Sequence, residues 1–174
     1  MLLLAAAASR AEESRSKTLE YPVKAAFLYQ FARFTEWPVK AGDSSPLCIG
    51  VLGDDPFGAA LHKSMSGKSV GGRPLSIRRS PFVVDLDGCA ILFVARSESG
   101  DRLQSILQQA ARWPALTVGE SEGFTQSGGM VRFFLNENHV RFEVNIGAVE
   151  AAGLRLSSRL LALAQITGTQ RGGR

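Results

Sequence analysis

The chain has 174 residues, 45% of them apolar and 21% charged, enough for one hydrophobic core and too ordinary for disorder or a collagen-like fibre. Its formal charge is +4 and its pI is near 9.4, but the basic residues are scattered, with no run longer than Arg78-Arg79. The collected basic face that a nucleic-acid binder needs to neutralise phosphates is not there, so no nucleic-acid partner is expected.

Met1-Leu2-Leu3-Leu4 and Ala5 to Ala8 make an apolar run far shorter than the roughly 20 residues that span a bilayer. With small residues at Ala6, Ala8 and Ala11, it reads as the h-region and cleavage zone of a secretory signal, although no basic stretch precedes it. We therefore expect residues 1–18 to be a signal-peptide remnant and disordered lead, 19–168 a single domain, and 169–174 a flexible basic tail.

Tyr21-Pro22 opens a helix, with proline in the first turn, where its missing N–H costs nothing. Val23, Phe27, Leu28, Phe31 and Phe34 share one arc and should face the core. Lys24 lies within that arc and is expected to snorkel to water along its stem. Trp37-Pro38 should end the helix. Leu47 to Leu52 is a buried strand, Ala59 to Met65 a helix, and Leu75 to Arg78 a weaker strand. Cys89 to Val94 is a second strong buried strand. A helix to about Ala111, with Leu103, Ile106, Leu107 and Ala110 at helical spacing, then leads to a short strand over Ala115–Gly119. Strands alternating with helices predict a mainly parallel α/β sheet flanked by helices on both faces.

The end of the sheet differs. Met130–Leu135 and Val140–Val144, joined by Asn136-Glu137-Asn138-His139, predict a C-terminal antiparallel edge hairpin. A turn centred on Glu137-Asn138 sets Arg132 opposite Glu143 and Phe133 opposite Phe142, an ion pair worth only some tenths of a kcal/mol at an exposed site. Asn145 should cap a short helix that stops at Gly153, and Ser157 or Ser158 a last amphipathic helix running to about Ile166.

Several ordered blocks resemble a known family. Lys24-Ala25-Ala26-Phe27-Leu28-Tyr29-Gln30-Phe31 with Phe34 to Pro38 is similar to the opening helix of the YfiR-type periplasmic proteins. Leu47 to Gly53 with Asp55-Pro56-Phe57 is similar to their first strand and turn. Val140 to Asn145 and Gly153 to Leu161 resemble their closing hairpin and helices, so the likeness runs from about Tyr21 to Ile166. It implies a small periplasmic α/β protein, usually dimeric and without enzymatic activity. Such a protein restrains an inner-membrane diguanylate cyclase by binding its periplasmic sensor part, and an outer-membrane OmpA-like lipoprotein can sequester it.

Cys48 and Cys89 each precede a buried apolar run and should lie at one edge of the sheet. If their strands are neighbours, the Cα atoms are about 5 Å apart, within disulfide reach. The positions are similar to those of a paired family disulfide, which an oxidising compartment favours; two buried free thiols are the alternative. For partner contact, Trp37, Trp113, Phe134 and Arg141 are the candidates, with Glu143 on the same strand, because aromatic and arginine side chains dominate interface energetics. Each tryptophan precedes a proline, and a ring covering the core edge is the plainer account of both.

Bond-making chemistry finds no support in the spacing. Gly50-x-x-Gly53 before Asp54-Asp55 lacks a phosphate-loop ending, and its carboxylates would repel phosphate. A receiver domain needs an aspartate where this chain has Val94-Ala95-Arg96. His62 and His139 lie in different elements, no Gly-x-Ser-x-Gly occurs, and no metal or cofactor is expected. Glu120 and Glu122 could sit at a cleft by the carboxyl edge of the sheet, where open α/β sheets bind ligands. With the family resemblance, this favours a regulatory binding protein. A periplasmic small-ligand receptor using the cleft and a flavodoxin-like enzyme are its rivals.

Overall fold

The structure is a computed structural model that describes residues 19–38 and 43–168. The expected leader (1–18) and tail (169–174) lie outside the described residues. Helix α1 covers residues 19–34. There follow β1 (Thr35–Glu36), β2 (Leu47–Leu52), α2 (Ala59–Met65), β3 (Ser69–Val70), β4 (Arg73–Ser80), a 3-10 turn (Val83–Leu86), β5 (Ile91–Val94) and α3 (Gly100–Ala110). The second half comprises β6 (Leu116–Gly119), β7 (Val131–Asn136), β8 (His139–Asn145), α4 (Ile146–Ala151), β9 (Arg155–Leu156), α5 (Ser158–Leu161) and β10 (Gln165–Thr167).

Eight strands form one sheet in the order β10-β8-β7-β6-β5-β2-β4-β3. The run from β4 to β7 is parallel, as expected for strands joined by helical crossovers. β7 and β8 form the antiparallel hairpin, with Arg132 opposite Glu143 and Phe133 opposite Phe142, the register read from the turn. Glu137 and Asn138 both take positive φ, the backbone a two-residue hairpin turn requires. The hairpin does not end the sheet, because β10 lies outside it, parallel to β8. The expected last helix therefore stops at Leu161, and Ile166 belongs to a strand.

Strand alternation divides the core in two. Leu47, Ile49, Val51, Ile91, Phe93, Leu116, Val118, Val131, Phe133, Phe142 and Val144 face α1, α2, α4 and α5. Cys48, Leu52, Leu92 and Val94 face α3, whose Leu103, Ile106, Leu107 and Ala110 are buried as their spacing predicts. Both expected caps form: Asn145 accepts from Ala148 N–H, and Ser157 from Leu160 N–H.

The opening helix is turned from its expected setting. Its buried face is Lys24, Ala25, Leu28, Phe31 and Ala32, while Val23 is 40% exposed. Two alanines let the helix axis approach the sheet, and the helix rolls toward them. It also ends earlier: Thr35-Glu36 pairs antiparallel with Arg155-Leu156 as a separate two-stranded sheet, three residues before Pro38.

Candidate functional site at the carboxyl edge

Cys48 and Cys89 are disulfide-bonded, their Cα atoms 4.4 Å apart. Both sulfurs face the α3 side, and Gly50 leaves room beside them, since a Cβ there would touch Cys89 Sγ and Leu86 at 3.4 Å. The tryptophans close on the same place from opposite faces. Trp113 Nε1 donates to Cys89 C=O at 2.9 Å, and Trp37 Nε1 to Ala90 C=O at 3.1 Å. Both rings are half-buried and hold down the start of β5.

In an open α/β sheet the ligand crevice lies where the strand order reverses. Here the chain goes from β2 to β4 on one side and returns to β5 on the other, so the crevice falls between the ends of β2 and β5. Two side chains pack beside the glycine that follows β2 there. A Cβ on Gly53 would lie 2.6 Å from Ser97 Oγ and 2.7 Å from Glu98 Oε1, so these side chains occupy the space beside the glycine. Asp54 N–H donates to Ser97 Oγ, Ser97 donates to Glu98, and Glu98 is buried against Arg102.

One strand further, Glu120 follows β6; it is 5% exposed and lines the cleft beside which it was expected. Lys24 is 1% exposed and does not snorkel. Its Nζ donates to Glu120 Oε2 and Glu20 Oε1, each at 2.5 Å, and lies 4.6 Å from the Tyr21 ring centroid. Tyr21 O–H also donates to Glu120, and Arg96 Nη2 stands 3.9 Å from it. The ammonium finds its partners inside the fold, so no stem reaches for water. Burial raises the Tyr21 pKa to about 12, helped by the negative charges of Glu120 and Glu20.

Beyond it, Arg132 Nε and Nη2 donate to the two oxygens of Glu143 at 2.8 and 3.1 Å, and Thr125 O–H to Oε1 at 2.6 Å. The Arg132 bond is the main reason the Glu143 carboxyl sits below its ordinary value; burial opposes it, and Thr125 adds to the lowering. Glu143 is 4% exposed, so this is an interior pair and not the surface one expected. Its carboxylate is taken up inside the molecule by Arg132 and Thr125. Phe134, half-buried under the Arg132 guanidinium at 5.3 Å, and exposed Arg141 stand opposite each other on the outer side of the hairpin.

Two open depressions remain there. One, of 590 Å³, is lined by Arg96, Ser99, Glu120, Glu122, Arg132 and Phe134 among others, so the expected cleft exists, with Glu120 in its wall and Glu122 at its rim. The second, of 260 Å³, has Phe134, Arg141, Leu163 and Ala164 in its wall. His62 and His139 are in α2 and β8, and among the described residues no group of three or more His, Cys, Asp or Glu is placed to hold a metal.

Residues missed by sequence reasoning are Lys24 with Glu120, Ser97 with Glu98, and the loop phenylalanine Phe124. Lys24 and Glu120 lie 96 positions apart, and nothing local marks the pair. The only hint was a lysine inside an apolar arc.

The family model described as YfiR/HmsC-like matches residues 21–165. The chain belongs to the YfiR/HmsC-like family. This family is regulatory and non-catalytic. Among solved structures, a conserved domain protein from Vibrio cholerae is similar at 11% identity and a TM-score of 0.51, over 69% of this chain. The chain spans 54% of that protein, and the likeness concerns the fold alone. No curated protein matches the chain. Among the described residues no helix is long and apolar enough to cross a membrane.

Proposed function

We propose that this YfiR/HmsC-like protein is a non-enzymatic periplasmic regulator that binds and restrains an inner-membrane diguanylate cyclase through the cyclase's periplasmic sensor region. The observation that carries the reading is the family match over residues 21–165. Ser97 and Glu98 occupy the space beside Gly53 where this architecture would seat a substrate. The neighbouring acid Glu120 is bound to Lys24 at 2.5 Å, so it is engaged within the fold. The reading places the regulator's work on its outer surface. Homodimerisation and sequestration by an outer-membrane OmpA-like lipoprotein belong to this reading.

Deleting the gene should raise cellular cyclic di-GMP and matrix output, and returning it on a plasmid should reverse both. Cyclic di-GMP that stays level in the deletion strain, measured by mass spectrometry in exponential and stationary phase, overturns the proposal.

A further inference from the structure

Phe134 forms part of the wall of both depressions on the outer side of the hairpin. One contains Arg96, whose side chain is 67% exposed, and the other contains Arg141. The Glu120 carboxylate nearest Arg96 is already held by Lys24 at 2.5 Å, against 3.9 Å for Arg96. Arg141 forms no ion pair among the described residues. Against these two exposed cations the rim of the first depression sets one exposed acid, Glu122. Apolar contact surface is at hand on each side: Leu135 is 46% exposed by the first depression and Leu163 66% by the second.

We infer that an acidic, apolar-anchored segment of the protein partner lies across Phe134, with carboxylates toward Arg96 and Arg141 and apolar side chains seated in the two depressions. Two hollows sharing one aromatic wall, each with its own arginine, suit an extended chain. A single small anion would reach only one of them. Charge on both sides of an apolar anchor also fixes the register of such a segment. The braced aromatic ring loses little freedom on contact, which favours it as the anchor point. The inference rests on the regulatory reading above and assigns its contact surface.

The test compares complemented deletion strains carrying wild type, Arg96→Glu with Arg141→Glu, Phe134→Ser, or Phe82→Ser with Val84→Ser. The last pair is 63% and 75% exposed on the 3-10 turn and serves as the control surface. Protein level and melting temperature are matched for each. The arginine pair and Phe134→Ser should leave cyclic di-GMP at the deletion level, while the control restores repression. Full repression by the charge-reversed protein, or its loss only in the Phe82/Val84 variant, overturns the assignment. So does a thermal shift of purified wild type by free succinate or another small dicarboxylate that Arg96→Glu abolishes, which would put a small anion in the cleft. If deletion itself leaves cyclic di-GMP unchanged, the regulatory reading fails first and the variants are not compared.

Discussion

Lys24 shows how far a residue's fate depends on a group that sequence distance hides. A lysine in the first turn of an amphipathic helix ordinarily runs its stem to water, and here its charge is met indoors by Glu120 and Glu20 at 2.5 Å. The pair need not be worth much against an apolar isostere, but removing one partner leaves the other charge buried and alone. We expect Lys24→Met to destabilise by about 3–5 kcal/mol in urea unfolding, and Lys24→Met with Glu120→Leu to recover most of that loss. A double variant as unstable as the single one would mean that the charges themselves, and not their pairing, hold the first helix. The same contrast separates the ion pairs of the hairpin: Arg132 and Glu143 were legible as cross-strand partners, whereas their burial under Thr125 was not.

At the scale of elements, the segment from Glu120 to Gly129 joins β6 to β7 and ties the two faces of the sheet together. Glu120 reaches α1 on one face, while Phe124 is buried in the α3-side core on the other. The Phe124 ring lies between Gly119 and Gly129, and a Cβ at either position would overlap it. The Cδ2–Cε2 side of the ring thus packs where Gly119 has no side chain, and the Cδ1–Cε1 side where Gly129 has none. Gly129→Ala should cost about 1–3 kcal/mol by overpacking, read as a lower urea midpoint at unchanged m-value. Gly129→Ala combined with Phe124→Leu should recover part of it; no recovery would place the strain in the backbone instead. These glycines look like loop punctuation in the sequence, because nothing local says that a ring 5 positions from each will come to lie on them. Short strands hid for a similar reason: β1, β3, β9 and β10 have two or three residues each and exist only because a partner strand is beside them.

For the molecule as a whole, the disulfide joins β2 to the start of β5, across the sheet's strand-order reversal, and the chain it closes spans 41 residues. In the chain-entropy model a loop of that length contributes roughly 4 kcal/mol before native strain is counted. Cys48→Ser should lower the melting temperature under oxidising conditions and leave the reduced protein nearly unchanged. Mutant and wild type melting together without reductant would show that the bond does not form. Trp37 and Trp113 complete this brace by hydrogen-bonding the carbonyls of Ala90 and Cys89, so tryptophans chosen for contact serve first as clasps on β5. The partner-facing surface proposed above lies elsewhere, around Phe134 and Arg141, at the far side of β6 and β7.

Local pattern was enough for the periodic elements: the buried runs of β2 and β5, the register of the hairpin and the Asn145 cap. Each of these is set by residues close along the chain or by a strict two- or 3.6-residue repeat. Packing between distant elements settled the roll of α1, the burial of Lys24 against Glu120, and the adjacency of β2 and β5 that brings Cys48 to Cys89. Those outcomes depend on the space left between elements and on charges that meet from distant positions, and no local pattern carries that information.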